Sequence, residues 1–77
     1  MEINNNLELC EEIGNTFGDF YVDMSGILTI DIYNETYTYR SEEELLEDWL
    51  PKLIAADEAT QDDYWADAID YIRDILR

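Results

Sequence analysis

Residues 41–77 carry two successive helical patterns, which constrain the fold of this chain more than any other stretch. The first pattern runs from Ser41 to Ala59 and the second from Thr60 to Arg77. In both, apolar side chains recur at intervals of three and four residues, which places them on one face of a helix. We expect both apolar faces to be buried in a common core, with the acidic faces left in water.

Capping and helix-breaking residues refine this prediction. Ser41 can cap the first of these helices and Glu44 completes a capping box. Pro51 lacks a backbone donor, which predicts a kink or a division of that helix. Thr60 together with Asp63 predicts the start of the last helix. The predicted buried residues are Leu45, Leu46, Trp49, Leu50, Leu53 and Ile54 in the first pattern, and Tyr64, Trp65, Ala68, Ile69, Ile72, Ile75 and Leu76 in the second.

The first half of the chain changes from a helical to an alternating pattern. A short apolar stripe after Asn4–Asn6 predicts a helix over about residues 5–16, ended by Gly18. Alternation then predicts three strands with turns at Ser25-Gly26 and Asn34-Glu35. The inner face would carry Phe20, Val22, Met24, Leu28, Ile30, Ile32, Tyr37 and Tyr39.

Matching these faces across the hairpins predicts the register. A two-residue turn at 34–35 pairs Ile32 with Tyr37 and Ile30 with Tyr39, and a three-residue loop over 25–27 pairs Met24 with Leu28. Gly26 would then take a positive φ. The chain is therefore predicted to form one α+β domain over residues 1–77, ordered αβββαα, with a three-stranded antiparallel meander packed on one face by helices.

The charge of the chain restricts its partners. Twenty acidic residues face four basic ones, for a net charge of -16. Without a basic patch, direct binding to nucleic acid or to an anionic membrane is disfavoured, and a basic protein partner is favoured. A hydrophobic content of 47% is too high for a disordered acidic tail. The lone Cys10 and the absence of a signal-peptide pattern in the first ten residues predict a cytoplasmic protein.

Catalytic and cofactor motifs are not found. The sequence has no histidine, its one cysteine has no histidine partner, and no glycine-rich phosphate loop occurs. The oxygen-rich residues 57–63 lack the alternating acids, the central glycine and the terminal glutamate of a calcium loop. We therefore expect a protein that is not an enzyme and that holds neither a metal nor a cofactor.

Three sets of exposed side chains are candidates for binding a partner. In the last helix, four aspartates follow a spacing of i, i+4, i+7, i+11, which a rise of about 1.5 Å per residue converts to steps of roughly 6, 4.5 and 6 Å. These steps approach the spacing of phosphates along a nucleic-acid strand. The three sets are Asp63, Asp67, Asp70 and Asp74 on the last helix, Glu44, Glu47 and Asp48 on the preceding one, and Tyr21, Asp23, Asp31 and Tyr33 on the outer sheet face.

In layout and charge, and locally in the second hairpin IDIYNETYTY, the chain resembles the small acidic anti-CRISPR proteins of phages and mobile elements that occupy the PAM-reading cleft of Cas9. The resemblance implies an inhibitor that mimics duplex DNA, binds a basic nucleic-acid-binding protein such as Cas9 and prevents it from loading onto DNA. Two alternatives remain open: an acidic adaptor or antitoxin-like module that binds a basic protein without mimicry, and a protein of another role whose acidity serves solubility.

Overall fold

The structure, a computed structural model, describes residues 2–77 and confirms the predicted α+β order. Its three strands form one antiparallel sheet in the order β1-β2-β3, so β1 and β3 are the sheet edges. The elements are α1 (Asn6–Phe17), β1 (Asp19–Val22), β2 (Leu28–Ile32), β3 (Glu35–Tyr39), α2 (Glu42–Thr60) and α3 (Ala66–Ile75).

The core lies between one face of the sheet and the helices. Helix α1 packs against β1 and β2, α2 packs against β3, and α3 packs against α2. Trp49 is 3% exposed and Trp65 is 5% exposed, as the two helical patterns predicted. The Phe17 ring lies between them, with its centroid 5.0 Å from that of Trp49 and 5.7 Å from that of Trp65. An aromatic cluster in the core therefore joins α1 to both helices of residues 41–77.

The second hairpin turns one residue earlier than predicted. Its register pairs Ile32 with Glu35, Ile30 with Tyr37 and Leu28 with Tyr39, so the turn lies at Tyr33–Asn34 and not at Asn34–Glu35. Each β2 residue therefore pairs with the β3 residue two positions earlier than predicted. Because side chains alternate between the two faces of a strand, a shift of two residues leaves every side chain on its predicted face. It brings the Tyr39 hydroxyl to Asp48 and Trp49. The turn holds Tyr33 at a φ of 53°, a conformation that costs a non-glycine residue free energy.

The first hairpin has a longer loop than predicted. Val22 pairs with Leu28, so the loop spans residues 23–27, and Met24 is fully exposed instead of lying on the inner face. The Asp23 carboxylate explains the difference: its Oδ1 accepts the backbone N–H groups of Ser25 at 2.8 Å and Ile27 at 3.0 Å. These bonds close the loop before Met24 can pair. Gly26 takes the predicted positive φ, at 86°.

Helix α2 is longer, and α3 shorter, than the sequence predicts. Ser41 caps α2 as expected, accepting the Glu44 N–H at 3.2 Å. The helix is not divided at Pro51, which lies on its exposed side, and it continues to Thr60. Thr60 and Asp63 therefore do not start the last helix. Within residues 2–77, no helix combines the length and the apolar character that a membrane span requires.

The connection between α2 and α3 is organised by aspartate side chains. Gln61 ends α2 in the left-handed conformation, at a φ of 57°. Asp62 Oδ1 accepts the Tyr64 N–H at 3.0 Å, and Asp57 Oδ1 accepts the Trp65 N–H at 3.1 Å. These two bonds satisfy backbone donors ahead of α3, whose N-cap residue Trp65 makes no capping bond with its side chain.

Candidate functional site

The α3 carboxylates form the first candidate surface. Asp67, Asp70 and Asp74 are exposed, and at 3.6 residues per turn they share the side of α3 opposite its buried residues. Asp63 lies in the turn before α3, where its carbonyl oxygen accepts the Ala66 N–H at 3.1 Å. The predicted row of four on one helix is therefore wrong. It reduces to three residues on α3, and we call these three the α3 row.

Basic side chains also border the α3 row. Asp67, Asp70 and Asp74 line a shallow depression together with Tyr71, Arg73 and Arg77. Arg77 Nη2 lies 3.1 Å from Asp74 Oδ1, but both side chains are largely exposed. Exposed pairs of this kind are screened by water and salt and hold their partners weakly. An incoming basic group can therefore replace Arg77 at little cost.

The acidic residues of α2 line a second surface, a groove between α2 and the edge strand β3. The groove has a volume of about 620 Å³. Its walls are Thr36, Tyr37, Thr38 and Tyr39 from β3, and Glu44, Glu47, Asp48 and Pro51 from α2. The structure thus brings the three predicted α2 residues together, and it adds a strand edge and two tyrosines that the sequence did not connect with them. We call this feature the β3–α2 groove.

A hydrogen-bond network fixes the groove wall. Trp49 Nε1 donates to Tyr39 Oη at 3.0 Å, and the Tyr39 hydroxyl donates to Asp48 Oδ2 at 2.6 Å. The Tyr39 bond, more than the nearby Lys52, holds the pKa of Asp48 below its usual value. Burial and the Asp48 carboxylate in turn raise the pKa of Tyr39. At neutral pH the groove therefore presents an ionised Asp48 beside a protonated tyrosine.

Lys52 places a cation in the same network. Its Nζ lies 3.3 Å from Asp48 Oδ2. The same atom lies 5.9 Å from the centroid of the Tyr37 ring and 5.5 Å from that of the Trp49 ring. A carboxylate together with aromatic faces is a favourable environment for an ammonium or guanidinium group. The wall of the groove thus already binds an ammonium group of this chain.

The outer sheet face does not gather the four residues predicted there. Tyr21 is half-exposed, and burial followed by the Asp31 charge raises its pKa, so Tyr21 and Asp31 are neighbours. Asp31 also accepts the Thr36 hydroxyl at 2.7 Å. The Asp23 carboxylate accepts hydrogen bonds within its own loop, and Tyr33 lies in the turn at the other end of β2. Of the four residues predicted on this face, only Tyr21 and Asp31 lie close enough together to form one surface.

The register adds a further acid that the sequence reasoning missed. Asp19 of β1 pairs directly with Asp31 of β2. Like charges in opposite positions of a sheet are destabilising. Only the hairpin register brings these two carboxylates together, so no local sequence pattern could have indicated the pair.

Cys10 does not have the properties of a catalytic thiol. It is fully buried, and burial, reinforced by Glu42, raises its pKa to about 12. Its Sγ lies 3.8 Å from the Glu42 carbonyl oxygen, to which it donates. A thiol in this environment stays protonated near neutral pH. Across residues 2–77, no three side chains of metal-ligating type lie close enough together to hold an ion.

No family model, curated protein or solved structure matches this chain. The α3 row and the β3–α2 groove are therefore the features from which a function can be inferred.

Proposed function

We propose that this protein is a non-enzymatic, cytoplasmic inhibitor that acts as a DNA mimic. It binds the basic nucleic-acid site of a defence protein, such as Cas9 or a restriction enzyme, and excludes DNA from that site. The observation that supports this most is the α3 row. Three exposed carboxylates project from a helix whose opposite face, with Ala68 and Ile72, is completely buried.

The rigidity of α3 matters because a mimic must hold its charges at fixed spacing. The helix is fastened by its apolar face and by the Tyr71 hydroxyl, which donates to Asn6 Oδ1 at 2.5 Å. Little ordering of the backbone is then required when a partner binds. Carboxylates can accept paired hydrogen bonds from arginine, the residue type with which a PAM reader contacts guanine edges. The same arginines would therefore serve either DNA or this protein.

The overall charge supports the same proposal. Twenty acids and four bases cannot form a neutral surface, and self-repulsion of this size opposes folding. Attraction to a strongly basic site gives the excess charge a use, and it accelerates association with such a site.

Charge reversal of the α3 row tests the proposal. The triple variant Asp67→Lys, Asp70→Lys, Asp74→Lys should fold, since all three side chains point away from the core, and it should lose both binding and inhibition of Cas9. The matched control is Glu11→Lys, Asp19→Lys, Glu43→Lys, which makes the same change in net charge at exposed positions outside the depression that the α3 row lines. Circular dichroism checks each fold, and DNA cleavage and pull-down assays provide the readouts.

The outcomes separate mimicry from other uses of acidity. The proposal is supported if binding and inhibition are lost in the α3 variant and not in the control. It also requires that target DNA and the wild-type protein compete for Cas9. Equal loss in both variants would mean that net charge alone drives binding. A folded α3 variant that still inhibits would contradict the role of α3. A basic partner that binds this protein and DNA simultaneously would indicate an adaptor instead.

A further inference from the structure

We propose that the β3–α2 groove binds an extended, basic segment of a partner protein. The segment pairs with β3 as a fourth strand and places a lysine or arginine side chain among Glu44, Glu47 and Asp48. This inference goes beyond the proposed DNA mimicry, since it concerns a different surface and requires no competition with DNA.

Strand β3 has an open edge, because it has a neighbouring strand on one side only. Ile32 and Glu35 flank the two-residue turn, so they exchange hydrogen bonds, as does every second pair after them. The intervening residues, Thr36 and Thr38, direct their backbone N–H and C=O groups away from β2. Both are exposed. An added strand can therefore pair with this edge by main-chain hydrogen bonds.

The α2 side of the groove, opposite that edge, is acidic. Glu44, Glu47 and Asp48 are exposed on α2 and line the groove together with Thr36 and Thr38. A strand paired with β3 would carry one row of side chains towards these carboxylates. Charge complementarity therefore selects a segment with lysine or arginine at alternate positions, and it rejects an acidic one.

The position of Lys52 shows that the wall of the groove accepts a cation. Its ammonium group is held by Asp48 and by the rings of Tyr37 and Trp49. Lys52 comes from within the chain and its side chain is 40% exposed, so a basic side chain from a partner can take its place. In the free protein Lys52 occupies this site, so a basic side chain of the partner must displace Lys52 when it binds.

Pro51 leaves one backbone carbonyl of α2 without its regular helical donor. In a regular helix the carbonyl of Glu47 would accept the N–H of residue 51, but proline has no such group. Pro51 and Glu47 both line the groove. The groove thus offers the carboxylates of α2 and the outward carbonyls of β3, a set that matches a segment rich in donors, and beside them the Glu47 carbonyl lacks its regular helical donor.

Binding of a synthetic peptide to the full chain tests the proposal. The probe is a seven-residue peptide of alternating arginine and valine, followed by amide chemical-shift changes. We expect shifts concentrated in β3 and the exposed face of α2, over residues 36–51. A peptide of the same sequence with N-methylated backbone amides should not bind, because it cannot pair with the strand edge. Equal binding of the methylated peptide would overturn the fourth-strand model.

Two variants test the charges, each with a matched control. Glu44→Gln with Glu47→Gln should weaken binding about tenfold, since two cation partners are lost, whereas Glu11→Gln with Glu58→Gln should change it less than about twofold. Lys52→Gln should strengthen binding by freeing Asp48 and the rings, whereas Arg73→Gln, with the same net charge, should not.

The results also separate this proposal from mimicry. Equal weakening by the two glutamine pairs, or no gain from Lys52→Gln, would show that the groove is not a specific cation site. Neither result would affect the inhibition assay on the α3 row. Conversely, loss of inhibition in the α3 variant with unchanged peptide binding would show that the two surfaces act independently.

Discussion

At the scale of single residues, the Tyr39 hydroxyl links the two elements that form the groove. It accepts a hydrogen bond from Trp49 Nε1 and donates one to Asp48. Trp49 is buried, so its indole N–H has no ready replacement partner if the hydroxyl is removed. One hydroxyl thus joins the edge strand to α2 and positions a carboxylate in the groove.

We therefore predict that Tyr39→Phe lowers the free energy of unfolding by about 1–3 kcal/mol near neutral pH, the cost of an unsatisfied buried donor. Tyr33→Phe, at a fully exposed tyrosine, is the control and should change little. Urea denaturation gives both values.

The same variant has a defined pH dependence. Asp48 has a lowered pKa in the folded protein, chiefly because of the Tyr39 bond. Its stabilising contribution is therefore fully present above its ordinary pKa of 3.8 and is lost as the pH falls through the lower folded value. The difference in stability between wild type and Tyr39→Phe should be larger near pH 6 than near pH 2. An unchanged difference would show that Asp48 does not contribute through this bond.

At the scale of secondary-structure elements, the close approach between the end of α1 and β2 depends on Gly18. A Cβ atom at this position would lie 2.0 Å from the Asp31 backbone oxygen. The φ of Gly18 is −173°, an extended value open to any residue, so space and not backbone freedom requires glycine. The contacted atom belongs to the backbone of β2, which cannot rotate away as a side chain can.

Gly18→Ala should accordingly destabilise the fold by about 1–3 kcal/mol, as overpacking does where the backbone must shift. Asn15→Ala, at an exposed position of α1, is the control for a change to alanine and should stay within about 0.5 kcal/mol of wild type. Thermal denaturation followed by circular dichroism measures both. A Gly18→Ala protein as stable as wild type would contradict the close contact between α1 and β2.

Also at this scale, periodicity predicted the elements and most of their buried residues but not their ends. Tyr64, predicted in the buried stripe of the last helix, lies before α3 and is 49% exposed. Alternation fixes which side of a strand is buried, and it is unchanged by a register shift of two, so the second hairpin kept its faces while its turn was misplaced. In the first hairpin the longer loop leaves Met24 outside the strand and fully exposed, and Val22 at the end of β1 is 45% exposed. The correct turns depend on Asp23 closing its loop and on Tyr39 reaching Asp48. The boundary between α2 and α3 likewise depends on Asp57, which bonds to a residue eight positions later.

The candidate surfaces were predictable to different degrees for the same reason. Asp67, Asp70 and Asp74 could be placed on one side of α3 from helix geometry alone. The β3–α2 groove requires β3 and α2 to lie side by side, and the roles of Tyr37 and Lys52 there follow from tertiary contacts. No spacing in the sequence encodes such contacts.

At the scale of the whole molecule, charge density sets the balance between folding and repulsion. A net charge of -16 is confined to a chain whose radius of gyration is 12.0 Å. At about 0.01 M salt the screening length is about 30 Å, so every carboxylate interacts with all the others. At about 0.15 M it falls to about 8 Å, and only near neighbours remain coupled. Unfolding separates the charges, so repulsion opposes the folded state most at low salt.

Stability should therefore rise with salt. We expect the Tm to increase between about 0.01 M and 0.2 M sodium chloride, because screening relieves repulsion among twenty acids. The opposing loss of attraction is small: the Lys52–Asp48 and Arg77–Asp74 pairs are partly or largely exposed and contribute little even without salt. The control is Glu11→Gln, Glu43→Gln, Glu58→Gln, which has less charge to screen and should show a smaller increase over the same range. A Tm that falls with salt in the wild-type protein would mean that attractive pairs, and not repulsion, dominate the electrostatic free energy of the fold.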